Sequence, residues 1–126
     1  MIVHRFMSAD EYNKLMAGEV LINNDRHEGW LTTSIGFCFF VEPPDEAIHW
    51  LGGVTFPDYC VTMEINAKHL RPSMGHYRNP AGGTMNKVEY CTTSYSLQTV
   101  TVLHVTDEWR ERADMRRALI ALGILK

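Results

Sequence analysis

Two segments with the alternating, β-branched pattern of strands constrain this chain most. Residues 59–65 and 97–105 both carry the pattern, and the second is the clearer of the two. Such alternation predicts strands that bury one face against a core. Further strands are predicted at residues 1–7, 30–33 and 88–95, and helices at residues 9–16, 46–51 and 108–122. With many strands, few helices and no regular β-α-β alternation, the chain is expected to form an α+β fold whose sheet is mostly antiparallel.

The helix boundaries are marked by capping residues. Ser8, followed three residues later by Glu11, forms a capping box for the first helix, and Gly18 favours a left-handed C-terminal end. Asp107 precedes the last helix and Gly123 ends it. Apolar residues form a broad stripe along this last helix, at Trp109, Ala113, Met115, Ala118, Leu119 and Leu122.

The composition limits the classes of function. The chain has 126 residues, the length of one domain, and its net charge of −3 gives no electrostatic basis for nonspecific binding to nucleic acid. Cys38, Cys60 and Cys91 are an odd set without a CxxC motif, which favours a reducing compartment. No apolar run reaches the ~18 residues that span a membrane, and the N-terminus lacks the apolar core of a signal peptide. A cytoplasmic protein that makes no contact with a membrane is therefore expected.

One stretch, residues 29–40, combines a strand-like approach, a hydroxyl triplet, a glycine and an aromatic run. The hydroxyls of the Thr-Thr-Ser triplet at 32–34 can satisfy nearby backbone groups or donate to a ligand. Gly36 permits a turn or a close approach to the backbone. Alternation along the aromatic run places Phe37 and Phe39 on one face of a strand. An ordinary buried strand followed by a bend has the same pattern.

Two charged residues in predicted strands need an explanation. Arg5 lies in the first strand, although arginine is rarely buried unless it is paired. Glu89 lies early in a later strand, between Val88 and Tyr90. An edge-strand position for Arg5 and a solvent-facing position for Glu89 are the simplest structural explanations. Residues 66–86 are predicted to form a loop, and a loop of about twenty residues in a small domain is more often functional than not.

The order of Arg5, the hydroxyl triplet and Glu89 resembles the ADP-ribosyltransferase family, in its arginine–serine–glutamate branch. Members of that branch carry an arginine in the first strand, a Ser-Thr-Ser-like triplet at a second strand and a catalytic glutamate at the start of a later strand. The resemblance covers residues 2–105. It implies that residues 1–126 form one ADP-ribosyltransferase-like domain, with a split, mixed and mostly antiparallel β-sheet core and a few flanking helices.

The resemblance also implies transfer of ADP-ribose from NAD, with release of nicotinamide. Arg5 would bind the pyrophosphate of NAD through its forked donors. Glu89 would stabilise the cationic ribose centre that forms as the nicotinamide bond breaks, and Ser34 would orient Glu89. The catalytic set is therefore Arg5, Ser34 and Glu89. The residues expected to contact NAD are His4, Arg5, Phe6, Thr32, Thr33, Ser34, Phe37 and Phe39.

The acceptor of ADP-ribose is expected to meet residues 72–87. The candidate contacts in this segment are Tyr77, Arg78, Asn86 and Lys87. Family members that modify arginine usually have Glu or Gln two residues before the catalytic glutamate, and Lys87 at that position would repel a guanidinium group. A non-arginine acceptor is therefore expected, with a protein favoured over a nucleic acid or a small molecule. Phe6 is a second departure, since the family usually has a small residue there.

Three other functions compete with the transferase. A binding or inhibitor module with the same fold would not need Glu89 and would act through an exposed patch. An NAD-dependent RNA phosphotransferase-like relative would need a more basic site than a chain of charge −3 offers. A metal enzyme is disfavoured and no metal site is predicted, because the six histidines show no ligand spacing and no Cys/His cluster. The sequence leaves the oligomeric state open.

Overall fold

Short antiparallel strands make up most of the regular structure. The computed structural model describes residues 1–28, 33–46, 58–72, 76–78, 84–86 and 89–124. The strands in these ranges are β1 (Ile2–Met7), β2 (Leu21–Ile22), β3 (Arg26–Glu28), β4 (Thr33–Ile35), β5 (Phe37–Phe40), β6 (Tyr59–Ile65), β7 (Arg71–Pro72), β8 (His76–Arg78), β9 (Thr84–Asn86), β10 (Glu89–Thr92), β11 (Ser94–Tyr95) and β12 (Val100–Thr106).

A six-stranded sheet lies at the centre, with the strand order β12-β6-β1-β5-β10-β7. Every neighbouring pair in this sheet is antiparallel. Three two-stranded antiparallel sheets accompany it in the described part of the chain, β2 with β11, β3 with β4 and β8 with β9. The prediction of an α+β fold with a mostly antiparallel sheet is confirmed.

Two helices are complete in the described residues, α1 (Ala9–Met16) and α2 (Arg110–Ala121). The predicted cap of α1 is confirmed, because the Ser8 side chain accepts a hydrogen bond from the Glu11 N–H. Trp109 at the start of α2 is buried, whereas Met115 and Leu122 are exposed. The apolar stripe predicted along this helix is therefore not packed at those two positions.

The central sheet is covered on both faces, and the two faces belong to different clusters. One face packs against Leu15 of α1 and against Tyr95, and the other packs against Trp109. The buried residues of the first face include Val3, Phe39, Val61 and Met63, and those of the second are Phe6, Phe40 and Cys60. Burying one such large apolar side chain stabilises the fold by about 1.5–3 kcal/mol. Neighbouring residues on a strand therefore have different surroundings.

Several predicted elements agree with the structure. The strand predicted at residues 59–65 and the helix predicted at residues 9–16 have the predicted bounds, and the first strand differs by one residue. The segment predicted as one strand at residues 88–95 is divided into β10 and β11 by a bend at Thr93.

Two other segments differ more strongly. Residues 66–86, predicted to be a loop, contain a 3-10 turn (Ala67–His69), β7 and the β8–β9 hairpin. The last strand begins at Val100 instead of residue 97, because the Thr99 N–H donates to the Ser96 carbonyl over 2.9 Å and closes a turn. Of the helix predicted at residues 46–51, only Glu46 lies within the described residues. Of the strand predicted at residues 30–33, only Thr33 does.

Gly36 links β4 to β5 and sets the direction in which β5 enters the central sheet. Its φ of +75° lies in the left-handed region that favours glycine. A Cβ atom at this position would collide with the Thr92 carbonyl oxygen and lie 2.6 Å from the Asn23 carbonyl oxygen. The sequence suggested a close approach at Gly36, and the structure shows it: the backbones at Gly36, Asn23 and Thr92 meet there.

We expect Gly36→Ala to lower the free energy of unfolding by about 3 kcal/mol, because backbone strain and a collision with two carbonyls act together. Gly18→Ala is the matched control, since Gly18 also has a positive φ, of +85°, but no atom lies within 4 Å of the added Cβ. That control should cost only about 1–2 kcal/mol. Urea unfolding of both variants measures the difference, and equal losses would contradict the packing described at Gly36.

Candidate functional site

The strand register decides which predicted site residues share a face of the sheet. Phe40 of β5 lies opposite His4 of β1 and opposite Glu89 of β10, so these three residues form one row across three strands. Side chains directly opposite each other in an antiparallel pair project to the same face, and the next residue along projects to the other. Arg5 therefore projects to the face opposite Glu89. Two members of the predicted catalytic set, Arg5 and Glu89, thus lie on opposite faces of the sheet.

The Arg5 side chain is held in a network of hydrogen bonds on its face of the sheet. Its Nε donates to Glu11 Oε2 over 2.6 Å, and its Nη2 donates to Glu11 Oε1 over 2.7 Å. The Nη1 atom donates to the Cys38 carbonyl oxygen over 2.9 Å, and the Tyr95 hydroxyl donates to Glu11 Oε2 over 2.6 Å. The fork expected to bind pyrophosphate is thus occupied by a carboxylate.

The electrostatics of this network favour its charged form. Burial alone would raise the pKa of Glu11, but the hydrogen bonds and charge of Arg5, with the Tyr95 hydroxyl, outweigh it and the pKa lies below its usual value. Burial alone would lower the pKa of Arg5, and Glu11 outweighs it in the same way, so that pKa is raised. Burial and the Glu11 charge raise the pKa of Tyr95. The hydroxyl therefore stays protonated and donates to the carboxylate.

Two aromatic residues predicted to contact NAD belong to this buried network. The Arg5 guanidinium carbon lies 5.1 Å from the centre of the Phe37 ring and 5.9 Å from that of Phe39. Both rings also meet Tyr95 edge to face, at 4.9 and 5.4 Å. Their exposed fractions are 7% and 0%, so both are core residues in this conformation. Stacking of nicotinamide on either ring is not compatible with this burial.

Sequence reasoning missed Glu11 and Tyr95 as partners of Arg5. Glu11 was assigned to the capping box, and its backbone N–H does take part in the cap, but its carboxylate turns to Arg5 and Tyr95. The signal was the arginine inside a strand, because a buried arginine needs a partner and Glu11 is near in sequence. Nothing local in the sequence marked Tyr95.

The face that carries Glu89 has a different chemistry. Glu89 is the first residue of β10 and is 5% exposed. In its row, the His4 Nδ1 lies 2.7 Å from the Thr62 hydroxyl, and the His4 ring lies 5.6 Å from the Phe40 ring. Burial lowers the pKa of His4, so its imidazole is neutral at pH 7. Phe6 shares this face and contacts Phe40 at 5.1 Å.

The hydroxyl triplet leads into the strand that pairs with β10, but from the end away from Glu89, because Phe37 lies opposite Thr92 and Phe40 lies opposite Glu89. Thr33 and Ser34 lie in β4, where Ser34 is paired with His27 of β3. Gly36 then leads into β5, which pairs directly with the strand of Glu89. Thr32 lies outside the described residues. The backbone thus joins the triplet to the strand beside Glu89, while Arg5 is on the other face.

The predicted acceptor contacts lie on a hairpin that precedes Glu89. Tyr77 is paired with Met85 in the β8–β9 hairpin, Asn86 is the last residue of β9 and Arg78 the last of β8. Lys87 lies outside the described residues. The hairpin ends at Asn86, three positions before Glu89, so these residues are close to Glu89 in the sequence.

No protein-family model, curated protein or solved structure matches this chain. Among the described residues, no group of three or more His, Cys, Asp or Glu side chains is arranged to hold a metal ion. In the same residues no helix has the length and apolar character needed to cross a membrane. The case for a function therefore depends on the residues and their geometry.

We expect Glu11→Gln to lower the free energy of unfolding by about 2–4 kcal/mol, because the Arg5 cation loses its charged partner in a mostly buried site. A carboxyl whose pKa is lowered by folding stabilises the protein above its unfolded pKa, and this contribution is lost as the pH falls through the lower, folded value. The wild type should therefore lose stability below about pH 4, and Glu11→Gln should lose less over that range.

Urea unfolding at pH 7 and at pH 3 measures both effects. Asp10→Asn is the control, since it removes only the exposed ion pair with Lys14 in the same helix and should leave the unfolding free energy close to that of the wild type. A Glu11→Gln variant as stable as Asp10→Asn at pH 7 would contradict the role assigned to the network.

Proposed function

We propose that this chain is a mono-ADP-ribosyltransferase that transfers ADP-ribose from NAD to a non-arginine acceptor and releases nicotinamide. The observation that carries the proposal is the buried Glu89 carboxylate at the first residue of β10. It lies beside the strand that the hydroxyl triplet leads into. Glutamate is rarely buried in proteins, and buried ionisable groups are frequent at functional sites.

The reaction needs little covalent chemistry from the protein. The bond between the nicotinamide nitrogen and the ribose C1′ breaks, and its electron pair leaves with nicotinamide. A nucleophile of the acceptor then bonds to C1′ and loses its proton. Glu89 supplies a negative charge that stabilises the cationic ribose centre, as a carboxylate does at a glycosidic bond.

The role of Arg5 is revised in this proposal. Because its guanidinium is engaged by Glu11 and by the Cys38 carbonyl, Arg5 is a positioning residue that fixes α1 and β5 on β1. It is not assigned a contact with the pyrophosphate of NAD. The remaining elements of the proposed site are Glu89, the Thr-Thr-Ser triplet and the His4 row.

The fold is also proposed to be ADP-ribosyltransferase-like. Supporting features are the central antiparallel sheet, the accompanying two-stranded sheets and the small number of helices. The β8–β9 hairpin would face a protein acceptor with Tyr77, Arg78 and Asn86. Its place in sequence directly before the catalytic strand supports this assignment.

A non-catalytic binding or inhibitor module is the second candidate. The observation that favours it is the engagement of Arg5, since the only first-strand cation expected to bind NAD has a carboxylate partner in its place. In such a module Glu89 would serve the packing of the sheet and not a reaction. The two candidates differ in whether NAD is bound and cleaved.

We expect the purified protein to release nicotinamide from NAD, and Glu89→Gln to reduce the rate by about 100-fold or more, because an isosteric amide lacks the charge that stabilises the ribose cation. Chromatographic detection of nicotinamide measures the rate, with and without a cell extract as a source of acceptor. Glu64→Gln is the matched control, since Glu64 lies on β6 and is exposed.

Calorimetry with NAD separates the two candidates when no nicotinamide is released. A protein that neither binds NAD nor releases nicotinamide is not a transferase, and the module is then the better assignment. Equal rates for the wild type and Glu89→Gln would remove Glu89 from the chemistry.

A further inference from the structure

A basic cavity lies at the edge of the central sheet beside the strand of Glu89. Its volume is about 320 Å³, at the small end of the range for ligand pockets. Three basic side chains line it, Lys68, His69 and Arg71, and none of the described lining residues is acidic. Thr93, directly after β10, adds a hydroxyl, whereas the Thr92 hydroxyl donates to the Ser94 carbonyl oxygen over 3.0 Å. The lining therefore consists of donors suited to an anion.

The two permanent cations of this cavity are not neutralised within the described part of the chain. The ion pairs found there join Arg5 to Glu11, Lys14 to Asp10 and Arg117 to two aspartates, and neither Lys68 nor Arg71 takes part in one. Two cations that take part in no ion pair thus line one concave site, in a chain whose net charge is −3.

The fold of the 68–71 segment fixes these cations in place. The Asn66 side chain accepts from the Lys68 N–H over 3.0 Å and caps the 3-10 turn. Arg71 then enters the central sheet, where it lies opposite Cys91 of β10. Leu70 between them is buried. Lys68 and Arg71 are therefore carried by a short backbone segment that is capped at one end and paired with β10 at the other.

The cavity lies around the edge of the sheet, with Leu70 and Thr92 on the face of Arg5 and with Arg71 and Cys91 on the face of Glu89. Cys91 lines the cavity and lies two residues after Glu89 on β10, so both project to one side, and Arg71 opposite Cys91 shares it. Two residues along a strand span about 7 Å. In NAD a single ribose separates the nicotinamide bond from the pyrophosphate, so the spacing from carboxylate to cations suits the two parts of one NAD molecule.

We propose that the cavity lined by Lys68, His69 and Arg71 binds the pyrophosphate of NAD, in place of the engaged Arg5. This inference rests on the proposed transferase function. Arg71 and Lys68 supply two positive charges for the two negative charges of the pyrophosphate, and the Thr93 hydroxyl supplies a further donor. Arg71 and the proposed catalytic carboxylate thus share the face opposite Arg5.

The test uses inorganic pyrophosphate and ADP-ribose as probes, with binding measured by calorimetry on the full chain. Arg71→Gln and Lys68→Gln should each weaken binding of both probes by about tenfold or more, because each removes charge-assisted hydrogen bonds. Arg110→Gln and Lys14→Gln are the matched controls. Arg110 begins the helix after β12, at the opposite edge of the sheet, and Lys14 lies on α1. Both controls should leave the affinity within about twofold.

The outcomes separate this inference from the proposed function. The cavity assignment is overturned if neither probe binds, or if both probes bind Arg71→Gln as tightly as they bind the controls. This holds even when nicotinamide release depends on Glu89. Binding that depends on Arg71, without any nicotinamide release, supports the anion site and removes the transferase. A single-stranded oligonucleotide that binds more tightly than ADP-ribose, with the same dependence on Arg71, would assign the cavity to a nucleic acid and overturn the pyrophosphate assignment.

Discussion

The pair formed by Arg5 and Glu11 is the interaction on which the arrangement of this domain depends. A guanidinium inside a central strand is stable only with a charged partner and with its remaining donors satisfied. Glu11 brings the first turn of α1 onto the sheet, and the Cys38 carbonyl fixes β5. The Tyr95 hydroxyl donates to the Glu11 carboxylate and so connects the segment after β10 to it. One ion pair therefore joins four parts of the chain.

This constraint divides the two faces of the sheet between structure and chemistry. The face with Arg5 is filled by Phe37, Phe39 and Tyr95, and leaves little room for a ligand. The opposite face carries Glu89 and adjoins the cavity that contains Arg71. In the transferase that we propose, NAD is therefore assigned to the second face, whereas the sequence pattern favoured the first-strand arginine as the phosphate contact.

Local patterns were enough to predict α1, β6 and the mostly antiparallel sheet, because capping residues and β-branched alternation act over a few positions. The relation between Arg5 and Glu89 depends on the pairing of β1 with β5 and of β5 with β10. These pairings join residues more than thirty positions apart. A change of register by one residue would place Arg5 and Glu89 on the same face. Sequence order alone therefore could not give the geometry of the candidate site.

Glu11 and Glu89 are two carboxylates with different surroundings, one half-buried and one buried. Glu11 forms an ion pair with Arg5. The hydrogen bonds and charge of Arg5 lower the pKa of Glu11 although burial would raise it, and the charged pair stabilises the fold. Glu89 shares its row with His4, whose imidazole is neutral at pH 7 because burial lowers its pKa. That neighbour supplies no positive charge. Glu11 is committed to the Arg5 cation of the core, and in the transferase that we propose the reactive carboxylate is therefore Glu89.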